Sequence, residues 1–582
     1  MKPDASGAHR CPSPSRPRRI WPGFTLALVC VAALGGGCPS RQASRPEPAP
    51  QAAKDDVQAR LTIFYTSAIG GTLEPCGCNS DPLGGVDRYA SLVRAASAQG
   101  PVLLVDGGNM LFSPNGVPAL KRDAAKLRAA FVAERLTALG LAGSALGPAD
   151  LVAGAEFVKP PRLAMNASPP TTADHLVTPS RLETRGSLKV GVMGVVAADV
   201  AEAAGVPATD PVGGARDEAA RLRAAGADLV VAVAAIDRPL ARKVARAAEI
   251  DILVLGTPSE EGMSQADFVE GTFIVAAAAE LQKAGRIDVV LRKRAGTWAP
   301  LVDAGSPEAL AARRDDVNEQ VAALAAQLAR WKRDTEADPD FVAAREKDLL
   351  ALRAEAQALA GQTFAPPAEG SYLVNQLVPI RRALPQDAQV TAAMRTLDQA
   401  IGKLNLAAAT APPPAVRGRA HYVGDASCAR CHQEELAFWK TTVHAQGWKT
   451  LVDGGKEADL ECVGCHVTGY GQVGGSALGF TKGLEAIQCE VCHGPGSLHV
   501  AEEGLDEPPT VHSETPESTC VQCHNEKHSD TFVYEAYLRD IVGPGHGEAT
   551  RKALGEGPTG GELRRAAMAK AQAAGKAQVG TH

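Results

Sequence analysis

Between residues 58 and 300 the chain alternates short apolar runs with alanine-rich stretches. The runs at 61–65, 102–105, 190–196, 229–233, 252–255, 273–277 and 287–290 have strand length and composition. Residues 121–139, 213–225 and 239–248 read as helices, so the interval predicts one α/β domain. Aromatic residues make up only 4% of the chain, which implies a core of Ala, Val and Leu.

The pattern changes after residue 300. Residues 315–360 are dominated by Ala, Leu, Glu, Arg and Gln, and Asp338-Pro339-Asp340 divides two helical stretches. Val321, Leu324, Leu328 and Trp331 share one side of the first, as do Leu349, Leu352 and Leu359 on the second. An antiparallel helical hairpin over 301–363 follows, with Trp331 as a packing contact. A bridging segment, 364–420, carries a helix at 391–406 and the proline-rich hinge 411–415. Residues 551–582, rich in Gly, Ala, Lys and Arg without a persistent apolar face, read as a frayed helix or a flexible tail.

A length of 582 residues exceeds one core. The net charge of -6, with no basic run beyond the leader, argues against a nucleic-acid partner. That leader holds Arg10, Arg16, Arg18 and Arg19, then a mainly apolar segment at 20–34 that is short for a permanent span. It reads as an export signal over 1–37. Gly35-Gly36-Gly37-Cys38 resembles a bacterial lipoprotein cleavage site, with Gly35 where leucine is usual. Cys38 is then the expected lipidation point, and 38–57 a flexible tether on an extracytoplasmic, periplasmic membrane face.

The densest chemistry lies in 421–550. Cys428-x-x-Cys431-His432, Cys462-x-x-Cys465-His466, Cys489-x-x-Cys492-His493 and Cys520-x-x-Cys523-His524 use eight of the thirteen cysteines. Two thiols at this spacing add across the vinyl groups of a haem, and the adjoining histidine supplies the proximal iron ligand. Zinc would use two CxxC pairs per ion without a histidine after each, and disulfides would need no histidine. Four covalently bound haem c groups are expected, with His432, His466, His493 and His524 on the irons.

A second histidine closes an iron for electron transfer, whereas an open sixth position binds a small molecule. His444, His499 and His546 stand at turns or helix ends and are the candidate distal ligands. His512 and His528 read equally as surface histidines; His528, four residues after His524, cannot reach the opposite face of the same iron.

Ala437-Phe438-Trp439-Lys440-Thr441-Thr442-Val443-His444, Gln488-Cys489-Glu490-Val491-Cys492-His493-Gly494-Pro495-Gly496-Ser497-Leu498-His499 and Val542-Gly543-Pro544-Gly545-His546 resemble the tetrahaem cytochrome c family that accepts electrons in ammonia-oxidising bacteria. The resemblance covers about 421–550. It implies closely stacked, mostly bis-histidine haems in a mainly helical wrap, and in that family one haem can lack a distal protein ligand.

A second resemblance covers about 60–293. Thr66-Ser67-Ala68-Ile69-Gly70-Gly71, Asp106-Gly107-Gly108-Asn109, Leu146-Gly147-Pro148-Ala149-Asp150, Met165-Asn166-Ala167-Ser168, Val190-Gly191-Val192-Met193-Gly194 and Val254-Leu255-Gly256-Thr257-Pro258 follow the strand ends of periplasmic 5'-nucleotidases of the calcineurin-like metallophosphoesterase type. The resemblance implies an α/β sandwich. The family's metal ligands are replaced, by Ala68 and Gly70 at the first Asp and His, Asn109 at the bridging Asp, and Pro148-Ala149 at the Asn-His pair. Ala235, Thr257 and Ser259 take the later histidine positions. Such side chains cannot cage two metal ions, so the domain is expected to be catalytically degenerate.

Cys76-Gly77-Cys78, after the first strand, reads as a redox or metal-binding thiol pair or as a structural disulfide. Taken together, the residues predict a multidomain, extracytoplasmic multihaem cytochrome that passes electrons between a redox donor and acceptor protein, with a scaffolding amino-terminal domain. A haem enzyme acting on a small nitrogen compound at an open iron is the alternative, and a phosphoesterase the second.

Overall fold

The computed structural model describes residues 57–580 apart from Cys76, 155–161, 168–176, 204, 206, 260, 295, 334–337 and 505–509. Cys38, the export signal and Cys76 lie outside the described residues. Among the described residues no helix is long and apolar enough to cross a membrane.

Strand β1 (Val57–Thr66) shows how the first half is built. Its Leu61, Ile63 and Tyr65 enter one apolar cluster and Phe64 another, the period of two of a strand covered on both faces. After it come α1 (Val86–Ser97), β2 (Val102–Asp106), α2 (Arg122–Ala138), β3 (Leu141–Ser144), β4 (Arg162–Leu163) and β5 (Val177–Thr178). Next are β6 (Ser180–Arg185), β7 (Leu188–Val195), α3 (Ala198–Ala203), α4 (Pro211–Ala224), β8 (Leu229–Ala234), α5 (Arg238–Ala247) and β9 (Ile252–Leu255). The series continues with β10 (Asp267–Val269), β11 (Thr272–Ala276), β12 (Lys283–Arg294), β13 (Thr297–Trp298) and β14 (Leu301–Asp303). Helices α6 (Pro307–Trp331) and α7 (Pro339–Gly361) precede β15 (Ser371–Pro379) and α8 (Ala388–Ala407).

One sheet has the order β14-β15-β12-β1-β2-β3, with β13 on β12, and the other the order β10-β11-β9-β8-β7-β6. Ile63, Val105, Val192, Val231, Val254, Phe273 and Leu373 fill the space between them. Tyr89, Val93, Val132, Leu136 and Met394 lay α1, α2 and α8 on the outside of the first sheet. Ala215, Ala219, Leu222 and Val244 lay α4 and α5 on the second. This is the expected α/β sandwich, in four layers. Only glycine fits at 285, where a Cβ would lie 2.0 Å from the Tyr65 ring.

Helix starts follow their sequence signals. Asp210, Ser306 and Asp338 accept backbone N–H groups of Val212 and Gly213, Ala309, and Asp340, each with proline next in sequence. In the α6–α7 hairpin Trp331 meets Phe341 edge-on at 5.0 Å, and Arg313 meets Glu355 at 2.6 Å.

Segment 364–420 is more than the expected bridge. Strand β15 pairs antiparallel with β12 and parallel with β14, and α8 packs with α1 and α2 around Val390 and Met394. Leu373 is fully buried between the sheets. The α/β body therefore runs to the end of α8, with the hairpin inserted between two neighbouring strands. Asn375 and Gln376 interrupt the apolar run and disguise β15 in the sequence. Asn375 is buried and satisfied, accepting the Tyr65 hydroxyl at 2.8 Å and donating to the Met263 carbonyl.

The remaining chain is a set of short helices: α9 (Asp425–Cys428), α10 (Gln433–Trp439), α11 (Gly447–Gly454), α12 (Cys489–His493), α13 (Ser497–Ala501), α14 (Glu517–Cys520), α15 (Tyr534–Ile541), α16 (Glu548–Ala553) and α17 (Gly560–Gly580). Of the two expectations for 551–582, a frayed helix or a flexible tail, residues Gly560–Gly580 form a helix, α17. It packs through small residues, Gly560 against the Tyr537 ring and Gly575 against Ala383, so no apolar stripe marks it. Gln578 donates to the Pro379 carbonyl at 2.7 Å, tying its far end to β15.

Charged pairs join this helical region to the α/β body. Lys456 bridges Glu74 (2.6 Å) and Asp398 (2.8 Å), Arg128 contacts Asp459 through both carboxylate oxygens, and Lys527 reaches Glu280 at 3.3 Å.

A fragment spanning 57–408 is expected to unfold cooperatively. One ending at 300 lacks β15 and α8, exposes the apolar surfaces they cover, and should melt at a clearly lower temperature or precipitate. Thermal circular dichroism of the two fragments checks this; equal melting would show that β15 and α8 add nothing to the body.

Candidate functional site

Each haem-type motif begins as a tight turn. The Cys428, Cys462 and Cys520 carbonyls accept the N–H of Cys431, Cys465 and Cys523 at 3.1, 3.3 and 3.1 Å. Those of Cys428 and Cys520 also accept the N–H of His432 and His524. Residues three and four apart on such a turn lie on one face, which sets thiols and imidazole together. The motifs interleave: the Cys428 thiol neighbours that of Cys489, and the Cys465 thiol that of Cys523. Burial pushes the Cys492 thiol up to about 11.

The four motif histidines share a feature that their spacing does not reveal. Nδ1 of His466 lies 2.6 Å from the Gly447 carbonyl, and that of His493 2.6 Å from the His512 carbonyl. His524 Nδ1 is 3.1 Å from Ser529 Oγ, and His432 Nδ1 3.3 Å from Glu435 Oε1. A carbonyl only accepts, so Nδ1 of His466 and His493 carries the hydrogen and Nε2 keeps its lone pair for a metal. His512, ambiguous in the sequence, thus acts through its backbone.

Two of the three candidate distal histidines face a motif histidine. His432 and His499 are stacked with ring centroids 6.3 Å apart and planes 30° apart; His444 and His524 are 6.1 Å and 38° apart. Two imidazoles bonded to one metal at about 2 Å each hold their centroids about 6 Å apart, so both pairs fit a bis-histidine iron. Burial first, then the neighbouring His524, pushes the His444 pKa down to about 4, so its ring is neutral as a ligand must be. Burial, then Arg564, also lowers that of His524.

His546 is set differently. Its ring neighbour is Phe438, edge-on at 6.4 Å, and its Nδ1 is buried without a partner. Gly543 and Gly545 let the chain press on α10: a Cβ at either would fall 2.3 Å from the Phe438 ring or 2.4 Å from Glu435. The His528 N–H is bonded to the Asn525 carbonyl, and His421 Nδ1 lies 3.0 Å from the Arg419 carbonyl.

Sequence reasoning missed the clasp between motifs one and three. Glu490, inside the third motif, is buried and accepts the N–H groups of Val423, Gly424 and Gly496 at 2.8–3.0 Å. Gln488 accepts the Asp425 N–H at 2.9 Å. Trp439 Nε1 donates to the Ile487 carbonyl at 2.8 Å, which anchors the approach to His444. The only signal for Glu490 was an acidic residue within a motif that must be enclosed.

At the strand ends of the α/β body, Ala68 and Asn109 keep left-handed backbone, with φ of 46° and 57°. Their surroundings are filled. Gly107 and Gly256 touch so closely that a Cβ on Gly256 would lie 2.0 Å from the Gly107 carbonyl oxygen, and one on Gly108 would lie 3.0 Å from the Ala235 methyl. Asn109 donates to the Gly256 carbonyl and accepts the Ala149 N–H. Behind it Arg162, fully buried, binds Asp150 at 3.1 Å and approaches Asp106 to 4.0 Å. Thr66 and Ser144 hydroxyls also bond to Asp106. Burial pushes Asp106 up to about 6, opposed by Arg162 and Thr66 and aided by Asp150. Among the described residues no group of three His, Cys, Asp or Glu is arranged to hold a metal ion. The structure places Cys78 half-buried, its carbonyl accepting from Arg564.

The profile of the family described as cytochrome c554 and c-prime matches residues 427–494. Cytochrome c-554 of Nitrosomonas europaea is 37% identical over 93 residues, 13% of this chain; the chain spans 40% of that relative's length. For the α/β body, a calcineurin-like phosphoesterase of Bacillus subtilis is 22% identical with a TM-score of 0.33, covering 41% of this chain and 87% of that one. A 5'-nucleotidase precursor of Thermus thermophilus is 15% identical with a TM-score of 0.40, covering 68% of each. Residues 427–494, which hold three of the four motifs, are thus similar to that family and follow an α/β sandwich in the chain.

Proposed function

We propose that this protein is an extracytoplasmic multihaem c-type cytochrome that transfers electrons between partner redox proteins. The supporting observation is the pair of facing imidazoles, His432–His499 and His444–His524, at the separation one iron requires. Haem c, bound through the eight motif cysteines and their histidines, would supply one-electron chemistry. This chain's residues hold and orient it: the Gly447 and His512 carbonyls, Ser529 and Glu435 fix the proximal rings, and the Glu490 clasp locks the first and third motifs together. Four haems are expected by denatured-haem absorbance per chain. His499→Ala and His444→Ala should each convert one low-spin iron to high-spin in electron paramagnetic resonance, with the haem count unchanged. A native high-spin centre that turns over hydroxylamine or nitrite would instead make the protein a haem enzyme.

Lipid on Cys38 would confine the protein, and its donor and acceptor, to one membrane face. Intact-mass measurement on membrane-extracted protein should show residues 1–37 removed and acyl chains added. Cys38→Ala should release the protein; unchanged membrane attachment of that variant would rule the lipid out.

The α/β body serves as a non-catalytic scaffold in this reading. Glycine contacts and the Arg162 ion cluster occupy the strand-end space, where removing the guanidinium would leave two buried carboxylates uncompensated. Because the folded pKa of Asp106 lies above its unfolded value of about 4, folded protein holds a proton that unfolded protein has released. Its contribution is therefore present below pH 4 and lost as pH rises to about 6, at about 1.4 kcal/mol per pH unit and on the order of 3 kcal/mol in all. Urea denaturation of the 57–408 fragment at pH 4.5 and 7 should show Asp106→Asn gaining stability relative to wild type at the higher pH. The same fragment, given phosphate monoesters and divalent metals, should show no turnover that depends on Asp106 or Asn109.

A further inference from the structure

The fourth motif is enclosed by residues from three distant parts of the chain. Tyr537 stands edge-on to His524 at 5.1 Å. Its hydroxyl lies 2.8 Å from Thr531 Oγ1 and 3.3 Å from Ser529 Oγ, the partner of His524 Nδ1. The first turn of α17 seats on this tyrosine through Gly560, whose missing side chain allows it, and through the Gly561 N–H donated to Asp540 at 2.7 Å. One turn on, Arg564 donates Nη1 to the Cys78 carbonyl of the α/β body. The same loop holds the other side of the motif, with the Ser80 N–H on Asp530 Oδ1 at 3.0 Å and the Ser80 hydroxyl on Oδ2. Arg564 is half-buried where it makes this bond.

We infer that Arg564, held in place by the Cys78–Ser80 loop, is a positioning residue that raises the potential of the haem bound at Cys520, Cys523 and His524. A fixed cation in a partly buried setting stabilises the less positive, reduced iron relative to the oxidised one. The amino-terminal body thereby acts on electron transfer through the place it assigns to one charge. The inference rests on the haem reading proposed above.

The test is a potentiometric titration of the full-length holoprotein followed by absorbance and electron paramagnetic resonance. The step missing from a Cys520→Ala/Cys523→Ala variant identifies the fourth haem. In Arg564→Gln that step should move to lower potential, changing its oxidised-to-reduced ratio at a fixed potential by roughly tenfold. The other three steps should stay in place, and Arg564→Lys should restore most of the shift. Unchanged steps in Arg564→Gln overturn the inference, as does Arg564→Lys behaving like Arg564→Gln, which would make the role one of packing. Loss of haem from Arg564→Gln with Arg564→Lys intact in both count and potentials supports a charge role. Native protein with no haem on Cys520 and Cys523 would overturn the underlying haem reading itself.

Discussion

A hydrogen bond at Nδ1 fixes a histidine's tautomer and orientation and leaves Nε2 free to bind a metal, and each motif histidine of the helical region has such a partner. Four acceptors from four different places, the Gly447 and His512 carbonyls, Ser529 and Glu435, meet the four motif histidines. The backbone around them is fixed by buried polar groups more than by hydrocarbon. Val463, Val467 and Leu478 are the fully buried members of the apolar cluster in this region. So small a core seldom holds a domain without covalent or metal staples. Under the proposed reading haems are those staples, and the Glu490 and Gln488 clasps hold the turns in register for them.

The α/β body solves the opposite problem. It has three large apolar layers and needs no staple, and Ala68 and Asn109 hold left-handed backbone at its strand ends. Buried space at polar strand ends must be filled or hydrated. Here it is filled: glycine backbones meet, Asn109 is bonded at both ends of its amide, and Arg162 supplies the positive charge that Asp106 and Asp150 require. Burial, with Asp150 beside it, pushes the Asp106 pKa up to about 6 against the pull of Arg162, a local cost the large cores around it absorb.

These differences explain what could be read from the sequence. Strands β8 and β9 are buried at every position, so their unbroken Val, Leu and Ala runs announced them. The motifs were legible because attachment chemistry dictates their spacing, and His444 and His499 because turns present them. β15 was hidden by Asn375 and Gln376; the partners that satisfy Asn375, Tyr65 and Met263, lie more than a hundred positions away. Helix α17 was hidden because glycine and alanine make its contacts. Arg162 carried no local signal, and Glu490 only its place inside a motif that must be enclosed: a buried ion is recognisable once its counter-charges and donors are in place.

The junction between the two halves follows from the same economy of polar contacts. Glu280, whose backbone N–H bonds the Ala68 carbonyl at a strand end of the α/β body, gives its carboxylate to Lys527 beside the fourth motif. Glu74, in the loop after the first strand, shares Lys456 with Asp398 on α8, and Ser80 in that loop takes Asp530. Exposed ion pairs are individually worth less than about 1 kcal/mol, so a joint built from them is weak contact by contact and depends on several acting at once. What makes it specific is that the participating loops spring from a rigid sandwich. Acidic and hydroxyl side chains on these loops face the helical region, and the precision of the sandwich is thereby transferred to the placement of the fourth motif.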